Sequence, residues 1–333
     1  MSSTPAGMPD DGSLAAAAGL PRRVSVREVG PRDGFQNEPE VIATDEKVEL
    51  IDALARTGLR RMEVTSFVRA DVIPQLADAA EVLARVDVPA EVALSVLIPN
   101  ERGLDAALAA RDARAASAGA GSRPALDEIN VFLSASETHN RKNVNRSIAE
   151  SLSALETVLG RARAEGLRCE GVISTSFGCP YEGHVPPERV LEIAGRLRDA
   201  GAQEIGFGDT TGMANPLQVR EFFALASEQL GAEVELTAHF HNTRGQGLAN
   251  VLAALEAGVE SFESSFGELG GCPVPAGATG NIATEDLVSM LTEMGVETGI
   301  DLDELLACAR RVQSVLGRPL GSHTLVAGPV DWH

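Results

Sequence analysis

The sequence predicts an α/β protein of the (β/α)8 TIM-barrel class with additional C-terminal helices, and three observations carry that prediction. Eight short β-like runs alternate with Ala/Leu-rich helical runs from residue 22 onward. The repeats occupy roughly 250 residues, the size of such a barrel. No GxGxxG follows the first β-like run, so an open doubly wound sheet with a dinucleotide site has little support.

In chain order, residues 1–21 read as a disordered N-terminal tail of Gly, Ser, Ala and Pro character. With no basic start, early Asp10 and Asp11 and only a short apolar run, this tail fits neither a secretory signal nor a transit peptide. Residues 22–333 read as one barrel domain. Its strand candidates are VSVREV (24–29), RMEVTSF (61–67), EVALSVLI (91–98), DEINVFLS (127–134), RCEGVIST (168–175), QEIGFGD (203–209), EVELTAHFH (233–241) and ESFESSF (260–266). The helical pattern is clearest at 44–58, where Thr44 is a candidate N-cap, Asp45 and Glu46 suit the first turn, and Gly58 suits the end. Val48, Ile51, Leu54 and Ala55 fall on one face of it. Residues 111–127 read as a loosened connection from helix to strand. Two further helical runs, 283–295 and 301–317, form a C-terminal extension over about 283–320 that packs beside the barrel.

Composition narrows the function classes. The 333 residues carry 48 acids against 28 bases, a formal charge of −20. That balance argues against nucleic acid or an anionic membrane as partner, because both are polyanions. A small anionic substrate stays compatible through a local basic cluster. Aromatic residues are only 4% of the chain, so Leu, Val, Ile and Ala must fill the core. The four cysteines are scattered without CxxC pairing, which suits reduced thiols in a cytoplasm better than a disulfide scaffold. No apolar run reaches the length of a membrane span.

The seventh β-like run ends in HFH, and side chains two apart on a strand share a face. His239 and His241 therefore aim at one place where a loop begins. In a barrel of this class the site lies at the C-terminal strand ends. The first strand delivers Arg32 and Asp33 there, the second Glu63, and the sixth Asp209 and Thr210. A Gly-rich loop with Cys272 and Asn281 follows the eighth. Asp33, His239, His241 and Asn281 form a mixed oxygen and nitrogen donor set without thiolate, which favours octahedral Mg²⁺ or Mn²⁺ with open positions over closed tetrahedral zinc. Each signal has an ordinary alternative: structural histidines, a PRDG turn, an inert cysteine. Their joint occurrence at several strand ends outweighs those. Cys179, His184 and His323 read as structural or surface residues.

RDGFQNE, MEVTSF, HFHNTRGQGLAN and above all GGCPVPAGATGN resemble the signatures of the hydroxymethylglutaryl-CoA lyase family, metal-dependent TIM-barrel acyl-CoA lyases. The resemblance runs from about residue 22 to 320. It implies Asp33, His239, His241 and Asn281 as metal ligands and Arg32, Glu63 and Cys272 as catalytic residues, with His239 a candidate base. It also implies an acyl-CoA substrate cleaved to acetyl-CoA and acetoacetate, a step of leucine degradation, and a homodimer. Arg141 and Lys142, after the fourth strand, are candidate CoA contacts, with Arg69 another possibility; Gln36, Asp209, Thr210 and Arg244 are further candidate substrate contacts. Asn242, Arg244 and Phe35 depart from the family pattern. Arg244 would suit a differently placed carboxylate, so a citramalyl-CoA or related 3-hydroxy-3-methylacyl-CoA lyase is a rival. A Claisen-type synthase of the same superfamily is disfavoured by the cysteine loop and the short tail, and a decayed, non-catalytic barrel by the intact ligand set.

Overall fold

Inward-facing and outward-facing residues alternate along each strand. In RMEVTS, Met62 and Val64 turn to the surrounding helices while Arg61 and Glu63 meet charged partners inside the barrel. The computed structural model describes residues 12–117, 126–271 and 280–331. Its eight strands are β1 Ser25–Glu28, β2 Arg61–Ser66, β3 Ala93–Leu97, β4 Glu128–Ser134, β5 Arg168–Ser174, β6 Glu204–Asp209, β7 Glu235–Phe240 and β8 Ser261–Ser264. All pair in parallel in sequence order, and β8 closes on β1 to make the barrel. The eight predicted runs become these eight strands, each trimmed by one to three residues.

The helix predicted from residue 44 spans Thr44–Leu54 and buries Val48, Ile51 and Leu54. Thr44 does not cap it. Ala43 holds the N-cap position, and the Thr44 hydroxyl instead donates to Asp78 at 2.8 Å. A tertiary acceptor has outcompeted the local one. Residues 111–117, expected as loosened connection, continue the helix Glu101–Ser117; the rest of that segment to 125 lies outside the described residues. The expected tail is also partly ordered, with a short helix at Gly12–Ala17, Ala15 buried and Leu20 packed on the core. The C-terminal helices fall at Thr284–Glu293 and Leu302–Leu316, followed by His323–Ala327.

Leu, Val, Ile and Ala do fill the layer between strands and helices. The lower barrel interior is ionic instead. Arg27, fully buried, bonds Glu263 at 2.9 Å, Glu204 at 3.1 Å, Glu128 at 3.2 Å and also Glu170. Arg61 adds Glu128 at 2.9 Å and Glu235 at 3.2 Å. Burial of that many charges is tolerable only where each finds partners. This interior places a carboxylate, Glu263, directly beneath the barrel mouth.

Candidate active site

After β1 the chain makes a single π-type turn, Gly30–Gly34. Such turns re-aim side chains and recur at functional sites. Gly30 permits this one: a Cβ there would lie 2.4 Å from the Phe266 ring and 2.8 Å from Glu28 Oε1. The turn delivers Arg32 and Asp33 together. Arg32 Nε donates to Glu63 Oε2 at 2.7 Å, and its Nη1 meets Asp33 Oδ1 at 2.6 Å. Gln36 Nε2 donates to the same Asp33 oxygen at 2.7 Å, while Asn281 Nδ2 donates to Oδ2 at 2.8 Å.

At the end of β7 the two imidazoles converge, with Nε2 of His239 and Nε2 of His241 3.2 Å apart. His239 Nδ1 is held by Glu263 Oε2 at 2.8 Å. Potential ligand atoms of Asp33, His239 and His241 all lie within 4.8 Å of one another. Asn281 pairs with His241 through an antiparallel backbone bridge, and its Oδ1 is buried without a hydrogen-bond partner among the described residues. Two facing imidazole nitrogens, a carboxylate and an unsatisfied amide oxygen fit a divalent cation with mixed oxygen and nitrogen donors. All four sequence-predicted ligands are brought together here.

Electrostatics follow from the packing. Burial would push the Asp33 carboxyl up, but Arg32, His239 and the Asn281 hydrogen bond hold it below its ordinary value. Burial works against a charged His239, yet Glu263 and Asp33 keep the imidazole above its usual value. Glu63 is raised, because burial outweighs the Arg32 charge. Asp209 is pushed up to about 6 by burial, against backbone N–H donation from Met213 at 2.7 Å and Ala214 at 3.1 Å. Its Oδ2 is buried and has no partner among the described residues.

The remaining predicted contacts divide. Thr210 Oγ1 accepts from Thr175 N at 2.9 Å, which makes it part of the β5–β6 scaffold. Arg244 is exposed and spends Nη1 on the Thr211 and Gly212 carbonyls at 2.8 and 2.7 Å. Arg141 and Lys142 sit on a helix, Glu137–Val144, that follows β4. Arg141 pairs with Glu137 at 2.7 Å, and Lys142 Nζ lies 4.4 Å from the Tyr181 ring centroid. Arg69 is exposed and paired with Asp71. Cys179 is buried, as expected of a structural thiol. Cys272 lies outside the described residues.

Sequence reading missed Glu263 and Arg27. Their signal was the acid and base at inward positions of strands otherwise rich in Val, Phe and Ser.

The HMGL-like family model matches residues 23–312. The chain belongs to the HMGL-like family. Among similar proteins, a hydroxymethylglutaryl-CoA lyase of Bacillus subtilis (strain 168) is 43% identical over 305 residues, 92% of this chain and 97% of that one. The mitochondrial hydroxymethylglutaryl-CoA lyase of Rattus norvegicus is 41% identical over 93% of this chain and 91% of its own. The Bacillus subtilis HMG-CoA lyase crystal structure superposes with a TM-score of 0.86 over 92% of this chain and 98% of that one, at 43% identity. An HMG-CoA lyase from Acinetobacter baumannii, solved with coenzyme A and 3-methylmalate, also gives 0.86 at 39% identity, covering 94% and 97%. The carboxyl transferase domain of Rhizobium etli pyruvate carboxylase, 20% identical with a TM-score of 0.65, shares the fold. Similarity at 41–43% identity to named hydroxymethylglutaryl-CoA lyases, over nine-tenths of the chain, makes it an enzyme of the carbon–carbon lyase class.

Proposed function

We propose that this chain cleaves 3-hydroxy-3-methylglutaryl-CoA to acetyl-CoA and acetoacetate by divalent-cation-dependent retro-Claisen chemistry. The observation that carries the reading is the convergence of Asp33, His239 and His241 beside the Arg32–Glu63 pair at one barrel mouth. The HMG-CoA lyase relatives, one solved with coenzyme A, support the acyl-CoA substrate.

Asp33, His239, His241 and Asn281 would hold the cation, Mg²⁺ or Mn²⁺. When bound, it supplies Lewis acidity toward the substrate hydroxyl and carboxylate oxygens. Glu63 on one edge and Asp33 on another fix the Arg32 guanidinium, and three of its five N–H donors are used in doing so. Those left would stabilise negative charge on the thioester oxygen as the C2–C3 bond breaks, a contribution of about 2.7–4 kcal/mol for one such donor. The hydroxyl proton needs an acceptor. His239 has one nitrogen engaged by Glu263 and the other facing the donor set. Asp209, with a partnerless buried oxygen and a carboxyl raised to about 6, is better suited to take it. Cys272 would return a proton to the acetyl-CoA carbanion, since a cysteine thiol is a competent acid at neutral pH. Lys142, on the helix after β4, is the candidate for the coenzyme A phosphates.

No helix among the described residues is long and apolar enough to cross a membrane. A cytoplasmic homodimer completes the proposal. The deciding assay presents a panel of acyl-CoA thioesters to chelated protein, with Mg²⁺ or Mn²⁺ restored. Acetoacetate released only from the hydroxymethylglutaryl thioester is expected. Pyruvate from citramalyl-CoA in its place would transfer the assignment to the rival substrate.

A further inference from the structure

Strand register lays three charged residues side by side across the barrel wall. Arg27 on β1 is the Cα partner of Glu263 on β8, and Glu263 is the Cα partner of His239 on β7. All three side chains meet inside. Glu263, 3% exposed, spends Oε1 on Arg27 Nη1 at 2.9 Å and Oε2 on His239 Nδ1 at 2.8 Å. An ionised carboxylate only accepts, so the proton of a neutral His239 must sit on Nδ1 and the lone pair on Nε2. That Nε2 is the atom 3.2 Å from His241 Nε2, on the side of the metal-donor set. Arg27 is itself pinned, because Glu170 shares its Nη1 and Glu128 and Glu204 hold its Nη2.

We propose that Glu263 is a positioning residue for the reaction: through Nδ1 it sets the tautomer and ring plane of His239 toward the donor set, and Arg27 holds Glu263 in place to do so. The inference rests on the reading of Asp33, His239, His241 and Asn281 as a divalent-cation site. A bonded carboxylate behind a ligating imidazole raises its basicity and fixes its orientation, and loss of such a partner typically costs 10–100-fold in metal affinity. If the row served only to fill the barrel with balanced charge, its disruption would lower stability but leave the affinity of folded protein untouched.

The test is Mn²⁺ titration of the full chain, free Mn²⁺ being read by electron paramagnetic resonance. Wild type should bind, Asp33→Ala should not, and folded Glu263→Gln should bind about 10–100-fold more weakly. Glu263→Asp, which keeps the charge, should recover part of the loss. A wild type that fails to hold Mn²⁺ overturns the metal-site reading and this inference with it. Wild-type binding with Glu263→Gln of equal affinity overturns the positioning role alone. Should Glu263→Gln not fold, ¹⁵N spectra of the histidine rings in metal-free wild type decide the matter. The Nδ1–H tautomer at His239 is expected, and the Nε2–H tautomer overturns the proposal.

Discussion

Asp209 shows how burial raises a carboxyl against the donors that hold it. Its carboxyl lies near 6 in the folded chain, above the 3.8 of a free aspartate, because desolvation outweighs the two backbone donors. A carboxyl raised by folding binds more protons folded than unfolded between those values, so its contribution to stability falls as pH rises from about 4 to about 6 and is flat above. In chelated protein the stability difference between Asp209→Asn and wild type is therefore expected to grow in the variant's favour across that window. It should approach about 3 kcal/mol, the equivalent of two pKa units. Urea denaturation of both proteins at pH 4, 5, 6 and 7.5 measures it, and parallel curves would show that Asp209 is not held neutral by its surroundings. Arg32 belongs to the same scale. Arg32→Gln should lower kcat by about 10²–10³ if its free donors face the developing oxyanion, with the effect read at saturating metal.

Between elements, the site depends on how loops seat against strand ends. Glu28 at the end of β1 accepts from Gly30 N at 2.7 Å and Phe266 N at 3.1 Å, and from the Thr284 hydroxyl at 2.7 Å. Glu285 accepts from Gly267 N at 3.0 Å. One pair of buried carboxyls thus ties the π-type turn, the end of β8 and the first C-terminal helix together. Burial pushes Glu28 up to about 7 and Glu285 to about 8. Gly270 is the tightest seat in this assembly. Its φ of +88° suits glycine, and a Cβ would fall 2.6 Å from Asn281 Nδ2 and 2.9 Å from Asp33 Oδ2. Gly270→Ala should consequently displace Asn281 or Asp33 and weaken metal-dependent turnover at least tenfold while leaving the far-UV spectrum unchanged. Activity measured across a metal titration checks this, and a variant with native metal dependence would mean that the loop adapts freely.

For the whole molecule, the expected consequence of a real cation site is linkage. Metal that binds only the folded chain should add about 2.7 kcal/mol of stability at a hundredfold excess over its Kd. Thermal melts with and without chelator check the sign, and coincident melts would remove the site's thermodynamic support. The strands and the convergence of Asp33, His239 and His241 at their ends were legible in sequence because each is announced locally. Period-two alternation marks a strand, HxH marks two side chains on one face, and PRDG marks a turn at a strand end. Thr44 was misread for the opposite reason, since its acceptor, Asp78, lies 34 residues away. The partners of Arg244 were illegible for the same reason: only the folded chain brings the Thr211 and Gly212 carbonyls to its Nη1. Sequence by itself determined the barrel, its eight strands and which residues stand at its mouth, because hydrophobic period and turn chemistry act over a few neighbours. Only tertiary structure decided what those residues touch: Glu263 behind His239, Arg27 beneath Glu263, and a buried oxygen left open on Asp209. Register between distant strands sets such contacts, and no short stretch of chain encodes it.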